Sequence, residues 1–140
     1  MSTEAGVLVG LNEEPLFWHL PNKRSAGSLP DSYDLWDVIW TNRAQVLGFA
    51  HSHPGSGVPG PSHEDLTTFS AIEAALGKRW NWWIVSYDAY IRLFWVGPDK
   101  LGYGITHCIF ETSWLKRLRE ESNYDPASFI DPEKPVITFS

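Results

Sequence analysis

The stretch of sequence that decides the fold is residues 45–65, QVLGFAHSHPGSGVPGPSHED. Its first part, 45–53, is mostly apolar and predicts a β-strand. Side chains at positions i and i+2 of a strand point to the same face, so we expect His51 and His53 to project side by side. Residues 54–61 hold three Pro and three Gly, which can neither continue a strand nor start a helix. This part of the chain therefore predicts a strand that ends in two imidazoles, followed by a loop.

A helix is predicted to follow the loop, because Ser62 and Asp65 have the spacing of a capping box. The helix should continue to about Leu76, where Gly77 ends it. Asp65 then lies in the first turn of the helix. The loop can return its carboxylate to the two histidines at the end of the strand.

The rest of the chain alternates short apolar runs with loops and contains two further amphipathic segments. One amphipathic segment starts with Asp31 as its N-cap and runs to about Asn42, and the other covers 112–121. The order of elements predicts a single domain over 1–140, of mixed α/β or α+β class. Strands are predicted over 4–11, 14–20, 45–53, 82–87, 90–96 and 102–110, a loop over 21–31, and a final strand over 136–139.

Composition and charge limit the classes of partner. Of the 140 residues, 43% are hydrophobic and 20% charged, which is ordinary for a soluble globular domain. The net charge is −6, which argues against a nucleic-acid partner because phosphate binding needs a basic surface. No apolar stretch reaches the ~18 residues of a membrane span, and the first residues, MSTEAG, lack the features of a secretory signal. We therefore expect no membrane association and a cytoplasmic location.

The candidate metal ligands are His51, His53 and Asp65. Cys108 is the only cysteine, so a metal site must use imidazole and carboxylate rather than several thiolates. Two histidines and one carboxylate leave the fourth position of a tetrahedral zinc open, which is typical of catalytic sites. This ligand set suits zinc, with iron and manganese as alternatives. We predict one Zn²⁺ per chain.

Hydrolysis at such a site also needs a general base outside the ligand set. The base takes a proton from water and passes it to the leaving amine. The residues alone leave several candidates open. These are Glu4, Glu13, Glu14, His63 and Glu64.

Three motifs of the chain resemble those of the JAMM (MPN-type) zinc metalloproteases. EAGVLVG at 4–10 places a glutamate before an apolar strand with two Gly. HSHP at 51–54 matches the family's HxHP motif, and SHED at 62–65 matches its SxxD motif. The three motifs occur in the family's order and on the predicted elements, so the resemblance covers about residues 4–96.

The resemblance implies a fold and a role for each site residue. The implied fold is cytidine-deaminase-like, with helices flanking a central mixed β-sheet. The implied general acid/base is Glu4. The implied zinc ligands are His51, His53 and Asp65, and Ser62 would hydrogen-bond the tetrahedral oxyanion.

The resemblance also implies an activity, the hydrolysis of isopeptide or peptide bonds after the C-terminal tail of a ubiquitin-like protein. The compact chain looks like the small prokaryotic members, which trim ubiquitin-like or sulfur-carrier proteins or remove them from targets. One alternative is a RadC-like or phage-tail-associated peptidase, with a cell-wall peptide or small amide as substrate. Another is a non-catalytic MPN scaffold. An activating protein partner is also left open.

The 8 Trp residues have two interpretations. Aromatic residues in periodic apolar segments usually pack in a core. Exposed aromatic residues would instead suit a groove that binds an extended peptide. If there is such a groove, we expect it near Trp82 and Trp83 or the loop Pro54–Pro61.

Overall fold

The fold is of mixed α/β class, as the order of predicted elements indicated. The structure, a computed structural model, describes residues 2–122, and the strand predicted over 136–139 lies outside them. The described part forms one six-stranded mixed sheet and three helices. The elements are β1 (Gly6–Gly10), β2 (Pro15–His19), α1 (Tyr33–Thr41), β3 (Val46–Ser52), α2 (His63–Leu76), β4 (Asn81–Val85), β5 (Tyr90–Trp95), β6 (Tyr103–His107) and α3 (Leu115–Glu121).

The sheet has the strand order β2-β1-β3-β4-β5-β6. Among the described residues, the only parallel neighbours are β3 and β4, and α2 connects them as a crossover helix. All other neighbouring strands are antiparallel. As a result β1 and β3 lie side by side inside the sheet, where every residue of β1 is buried. The start of β1 therefore lies next to the end of β3, with Gly6 opposite His51.

The alternation of side chains along the strands assigns the helices to opposite faces of the sheet. One face packs against α1 and α2 through a core that includes Leu8, Ile39, Phe69 and Ile84. The other face packs against α3 through a second core. That second core includes Val7, Val9, Ala50, Trp83, Trp114, Leu115 and Leu118.

The predicted element boundaries agree with the observed ones to within a few residues. The predicted α2 is confirmed, with Ser62 as its N-cap and Gly77 as a left-handed C-cap at φ 64°. The N-cap of α1 is Ser32 instead of Asp31, since the Ser32 side chain accepts a hydrogen bond from the backbone N of Leu35. α3 is shorter than predicted, because regular helix begins only at Leu115.

The three helices are short. The longest, α2, has 14 residues. In the part of the chain that the structure describes, no helix combines the length and the apolar character needed to cross a membrane. Each helix instead buries part of one face, as α1 does with Leu35 and Ile39 and α3 does with Leu115 and Leu118.

Candidate metal centre

The two histidines of the HSHP motif lie at the end of β3, on the face that packs against α1 and α2. Their Nε2 atoms are 3.0 Å apart. The His51 imidazole is nearly buried and packs edge-on against Phe69, with ring centroids 6.2 Å apart. His53 lies just beyond the strand and keeps 29% of its side chain exposed. The predicted side-by-side projection of the two imidazoles is therefore confirmed.

Asp65 brings a carboxylate to both imidazoles. Its Oδ1 lies 3.3 Å from Nε2 of His51, and its Oδ2 lies 3.2 Å from Nε2 of His53. The capping box of α2 orients this carboxylate, because Oδ2 also accepts a hydrogen bond of 2.9 Å from the backbone N of Ser62. In return, the Ser62 Oγ accepts one of 3.0 Å from the backbone N of Asp65. The same local motif therefore starts the helix and aims the acidic group.

The spacing of these atoms fits a metal ion. Ligand atoms of a tetrahedral zinc, at bonds of ~2.0–2.1 Å, are separated by roughly 3.3 Å. The Nε2 atoms of His51 and His53 are 3.0 Å apart, and they lie 3.3 and 3.2 Å from Oδ1 and Oδ2 of Asp65, respectively. Glu4 joins the group as well, since ligand atoms of Glu4, His51 and His53 all lie within 4.8 Å of one another. Glu4, His51 and His53 could hold a metal ion.

Glu4 reaches the histidines because β1 and β3 are neighbours. It lies just before β1, on the same face as His51, and is only 9% exposed. Its backbone N donates to the carbonyl of Ser25 at 2.8 Å. Burial raises the pKa of its carboxyl, although the two nearby imidazoles act in the opposite direction. A carboxylate with a raised pKa beside a candidate metal site suits a general base.

Asp65 and His53 shift each other's pKa. Burial alone would raise the pKa of Asp65, but hydrogen bonds from both imidazoles outweigh it and hold that pKa far below its usual range. Burial alone would lower the pKa of His53, but the hydrogen bond to Asp65 and the negative charges of Asp65 and Glu4 together outweigh burial and raise that pKa. Each of these two groups therefore stabilises the charged form of the other.

Metal affinity is expected to rise with pH, and to go on rising above the ordinary histidine pKa of 6.5. His53 must lose its proton before it can bind a metal, and its raised pKa retains that proton to higher pH. Where one proton is displaced, affinity should rise about tenfold per pH unit. A chelator competition titration from about pH 5.5 to about 8.5 measures this rise. An affinity that is already constant above about pH 6 would contradict it.

The free energy of unfolding of the metal-free protein should depend on pH through the protonation of His53 and Asp65. The contribution of His53 is full below its ordinary pKa of 6.5 and is lost as pH rises through its raised pKa. The contribution of Asp65 is full above its ordinary pKa of 3.8 and is lost as pH falls through its lowered pKa. Their combined contribution is therefore largest between these two ordinary values.

The first three residues of the capping-box segment differ in whether they line the cleft that contains the two histidines and Asp65. Ser62, His63 and Glu64 are all exposed. Ser62 and Glu64 line the same cleft as the metal-site residues. His63 is not among the residues that line this cleft.

The metal-site residues line a cleft of about 620 Å³. The cleft lies between α1, α2, the segment that follows β2, and the sheet. No lysine or arginine is among its lining residues in the described part of the chain. All five predicted catalytic and metal residues share this cleft, and its apolar walls are formed by Leu29, Leu35, Ile39, Phe49, Phe69, Ile72, Trp80 and Trp82.

The prediction that Trp82 and Trp83 line a substrate groove needs correction. Successive residues of a strand point to opposite faces, so only Trp82 lies on the side of the metal site. Trp82 contributes to the cleft wall but is 1% exposed, stacked on Phe69 with ring centroids 4.2 Å apart. Trp83 packs against Trp114 on the opposite face of the sheet and cannot reach the cleft. The core interpretation of these two residues is confirmed.

The loop Pro54–Pro61 is held by the turn between β4 and β5. Gly57 donates from its backbone N to Oδ1 of Asp88 at 2.8 Å, and its carbonyl accepts from Oγ of Ser86 at 2.6 Å. The backbone N of Tyr87 donates to the carbonyl of Gly55 at 2.8 Å. Gly57 has φ 82°, a conformation that favours glycine. These contacts fix the segment that connects the histidines to Asp65. Ser86 and Asp88 lie more than twenty residues further along the chain, and no sequence motif points to them.

A buried carboxylate behind the site was also missed by sequence reasoning. Glu73, on α2, is 2% exposed and accepts hydrogen bonds from the backbone N of Trp80 at 2.8 Å and from Nε1 of Trp82 at 3.3 Å. It also pairs with Arg79 at 3.2 Å and accepts a hydrogen bond from the Tyr103 hydroxyl. Glu73 thus fixes the indole that supports Phe69, and Phe69 in turn packs against the imidazole of His51. The one signal for this role in the sequence is that Glu73, a charged residue, lies on the apolar side of the helix predicted after Ser62.

Comparison with known proteins does not assign a family. No family model matches the chain, and no match is found among curated proteins.

Proposed function

We propose that this protein is a zinc-dependent metallopeptidase of the JAMM type. The observation that carries the proposal is the convergence of two imidazoles and a carboxylate at 3.0–3.3 Å, with a second, partly desolvated carboxylate beside them. In this proposal His51, His53 and Asp65 bind one zinc ion, and Glu4 acts as general acid/base. The cytidine-deaminase-like JAMM fold is part of the proposal and is compatible with the observed mixed sheet.

The donor set supports zinc as the metal. Imidazole nitrogen and carboxylate oxygen are common zinc ligands, and three protein ligands leave one position for water or substrate. The cleft gives that position access to solvent and to a substrate. When bound, zinc supplies Lewis-acid polarisation of a carbonyl and lowers the pKa of water to ~7.

Glu4 moves the proton in the proposed reaction. Its carboxylate accepts a proton from the attacking water and then donates that proton to the nitrogen of the leaving amine. Partial burial raises its pKa, which makes the carboxylate a better proton acceptor and the protonated form available as a donor. The imidazole nitrogens of His51 and His53 lie within 4.8 Å of a Glu4 ligand atom, so the base is next to the ligands.

Ser62 stabilises the oxyanion in this proposal. Its Oγ accepts a hydrogen bond from the backbone N of Asp65, which fixes the oxygen at the start of α2. The hydroxyl proton can then be donated towards the cleft that Ser62 lines. A preorganised donor of this kind stabilises negative charge that develops on the substrate carbonyl oxygen.

The proposed substrate is the C-terminal tail of a ubiquitin-like or sulfur-carrier protein, cut at a peptide or isopeptide bond. An extended tail can enter a cleft of this size, and the apolar walls between α1 and α2 can bind its side chains. The proposal includes a cytoplasmic location, with which the free Cys108 is compatible. It leaves room for an activating protein partner.

The proposal is tested by measuring zinc content and cleavage in parallel. The substrates are ubiquitin-like proteins fused through their C-terminal tails to a reporter, together with muropeptides. We expect one zinc per chain, fusion cleavage that a chelator stops, and loss of both zinc and cleavage in Asp65→Ala. Because even indirect contacts to a metal ligand change affinity ~10–100-fold, the loss of a direct ligand should exceed ~100-fold. Cleavage of muropeptides but not of the fusions would make a cell-wall peptide the substrate class in place of a ubiquitin-like protein. A zinc content well below one per chain would overturn the proposal.

A further inference from the structure

Residues 3–5, which carry the proposed base, are held by contacts from three distant parts of the chain. The backbone N of Thr3 donates to the carbonyl of Ser122 at 3.0 Å. The backbone N of Ala5 donates to Oγ of Ser52 at 2.9 Å. The hydroxyl of Ser122 in turn hydrogen-bonds Ser52, so the residue after α3 is connected to the end of β3. These contacts lie on the face of the sheet opposite the candidate metal site.

Arg24 adds a contact to the backbone of the base itself. Its Nη1 donates to the carbonyl of Glu4 at 3.3 Å and to the carbonyl of Glu121 at 2.7 Å. Glu121 is the last residue of α3, where carbonyl groups lack a partner within the helix and where a positive charge is favourable. One guanidinium group thus ties Glu4 to the end of a helix more than a hundred residues away.

We propose that Arg24 is a positioning residue for Glu4, because its guanidinium clamps the Glu4 backbone to the C-terminal end of α3. This inference rests on the proposed function of Glu4 as general base. Arg24 is not among the residues that line the cleft, so it acts through the backbone of Glu4 and not on a substrate. The clamp matters because Glu4 precedes the first residue of β1, where the sheet's own hydrogen bonds begin.

The physical reason is that a general base works only at hydrogen-bonding distance from the proton it takes. A displacement of about 1 Å can cost ~100-fold in rate. Without the guanidinium, the carbonyl of Glu4 loses its side-chain donor, while the hydrogen bonds of the Thr3, Glu4 and Ala5 amides remain. The carboxylate should then sample positions away from the histidines while the ligands stay in place.

The test compares Arg24→Ala and Arg24→Lys with the wild-type protein in the zinc-loaded form. For Arg24→Ala we expect kcat per bound zinc to fall about 10–100-fold, with KM and zinc content unchanged. Lysine has one compact donor group and should restore part of the rate. Backbone amide exchange at Thr3 and Glu4, followed by NMR, should be faster in Arg24→Ala.

Arg43→Ala is the matched control. Arg43 also donates to a carbonyl at a helix end, that of Trp40 in α1, but it has no contact with Glu4. It should leave kcat and amide exchange at Glu4 unchanged. If Arg24 only stabilised the fold, Arg24→Ala would lower zinc content and activity together and leave kcat per bound zinc unchanged. That result would overturn the inference.

The inference and the proposed function fail in different ways. If the wild-type protein cleaves none of the fusions, the proposed function fails, and the clamp is judged on amide exchange alone. Unchanged exchange at Thr3 and Glu4 in Arg24→Ala overturns the clamp whatever the activity. Faster exchange with an unchanged kcat overturns the positioning role while the clamp itself stands.

Discussion

Glu4→Gln is expected to retain zinc and lose cleavage. The amide has nearly the shape of the carboxylate, but it cannot accept a proton from water. Loss of a general acid/base lowers kcat by roughly 100- to 10,000-fold. The measurement is kcat for fusion cleavage together with zinc content per chain. At saturating zinc, the wild-type activity should also fall as pH decreases through the Glu4 pKa, which burial raises above the ordinary 4.5, and this acidic limb should be absent from the residual activity of the variant.

Glu64→Gln is the control for this substitution. Glu64 lines the same cleft but is exposed, in the first turn of α2. Because Glu64 is exposed and is not part of the Glu4, His51 and His53 group, its neutralisation should change kcat far less than Glu4→Gln does. If Glu4→Gln instead loses zinc, then Glu4 is a metal ligand, a role that its place within 4.8 Å of the imidazole nitrogens also permits.

Glu73→Leu is expected to cause the largest loss of stability. The substitution removes the acceptor for the Trp80 backbone, the Trp82 indole and the Tyr103 hydroxyl, and leaves Arg79 without its partner. Breaking a buried pair costs ~3–5 kcal/mol. We expect about 3 kcal/mol, the lower end, because half of the Arg79 side chain is exposed and water can solvate its charge. For a chain of this length the thermal midpoint should fall by about 10 °C.

The measurement is thermal and urea unfolding of the metal-free protein. Glu120→Leu, at an exposed position of α3, is the control and should change the free energy of unfolding by less than about 0.5 kcal/mol. Zinc affinity should also decrease in Glu73→Leu, because the Trp82 indole supports Phe69 and Phe69 packs against His51. An unfolding free energy equal to that of Glu120→Leu would show that water replaces the lost hydrogen bonds without cost.

The convergence of His51, His53 and Asp65 could be predicted from the sequence because their geometry is local. His51 and His53 share a face through the two-residue repeat of a strand. Asp65 is aimed by a capping box that spans only four residues. The Pro/Gly loop between them is equally evident from composition. Each of these features depends on residues close in the chain, so the sequence pattern alone was sufficient.

The surroundings of the site depend on pairings that no local pattern encodes. Trp82 and Trp83 have the same residue type and adjacent positions, and only the packing of α2 and α3 on opposite faces decides which one approaches the metal site. The hydrogen bonds from the loop to Asp88 and from Arg24 to the carbonyl of Glu4 likewise join segments far apart in the chain.

By itself, the sequence determined the mixed α/β class, most element boundaries, and the His-His-Asp cluster, because strand alternation and helix capping act over a few residues. The tertiary structure alone decided how close Glu4 comes to the histidines, since this requires β1 to pair with β3. It also decided that Arg24 donates hydrogen bonds to the carbonyls of both Glu4 and Glu121, at the end of α3. The physical reason is that strand pairing and helix packing minimise the free energy of the whole chain, and that free energy includes contacts between residues a hundred positions apart.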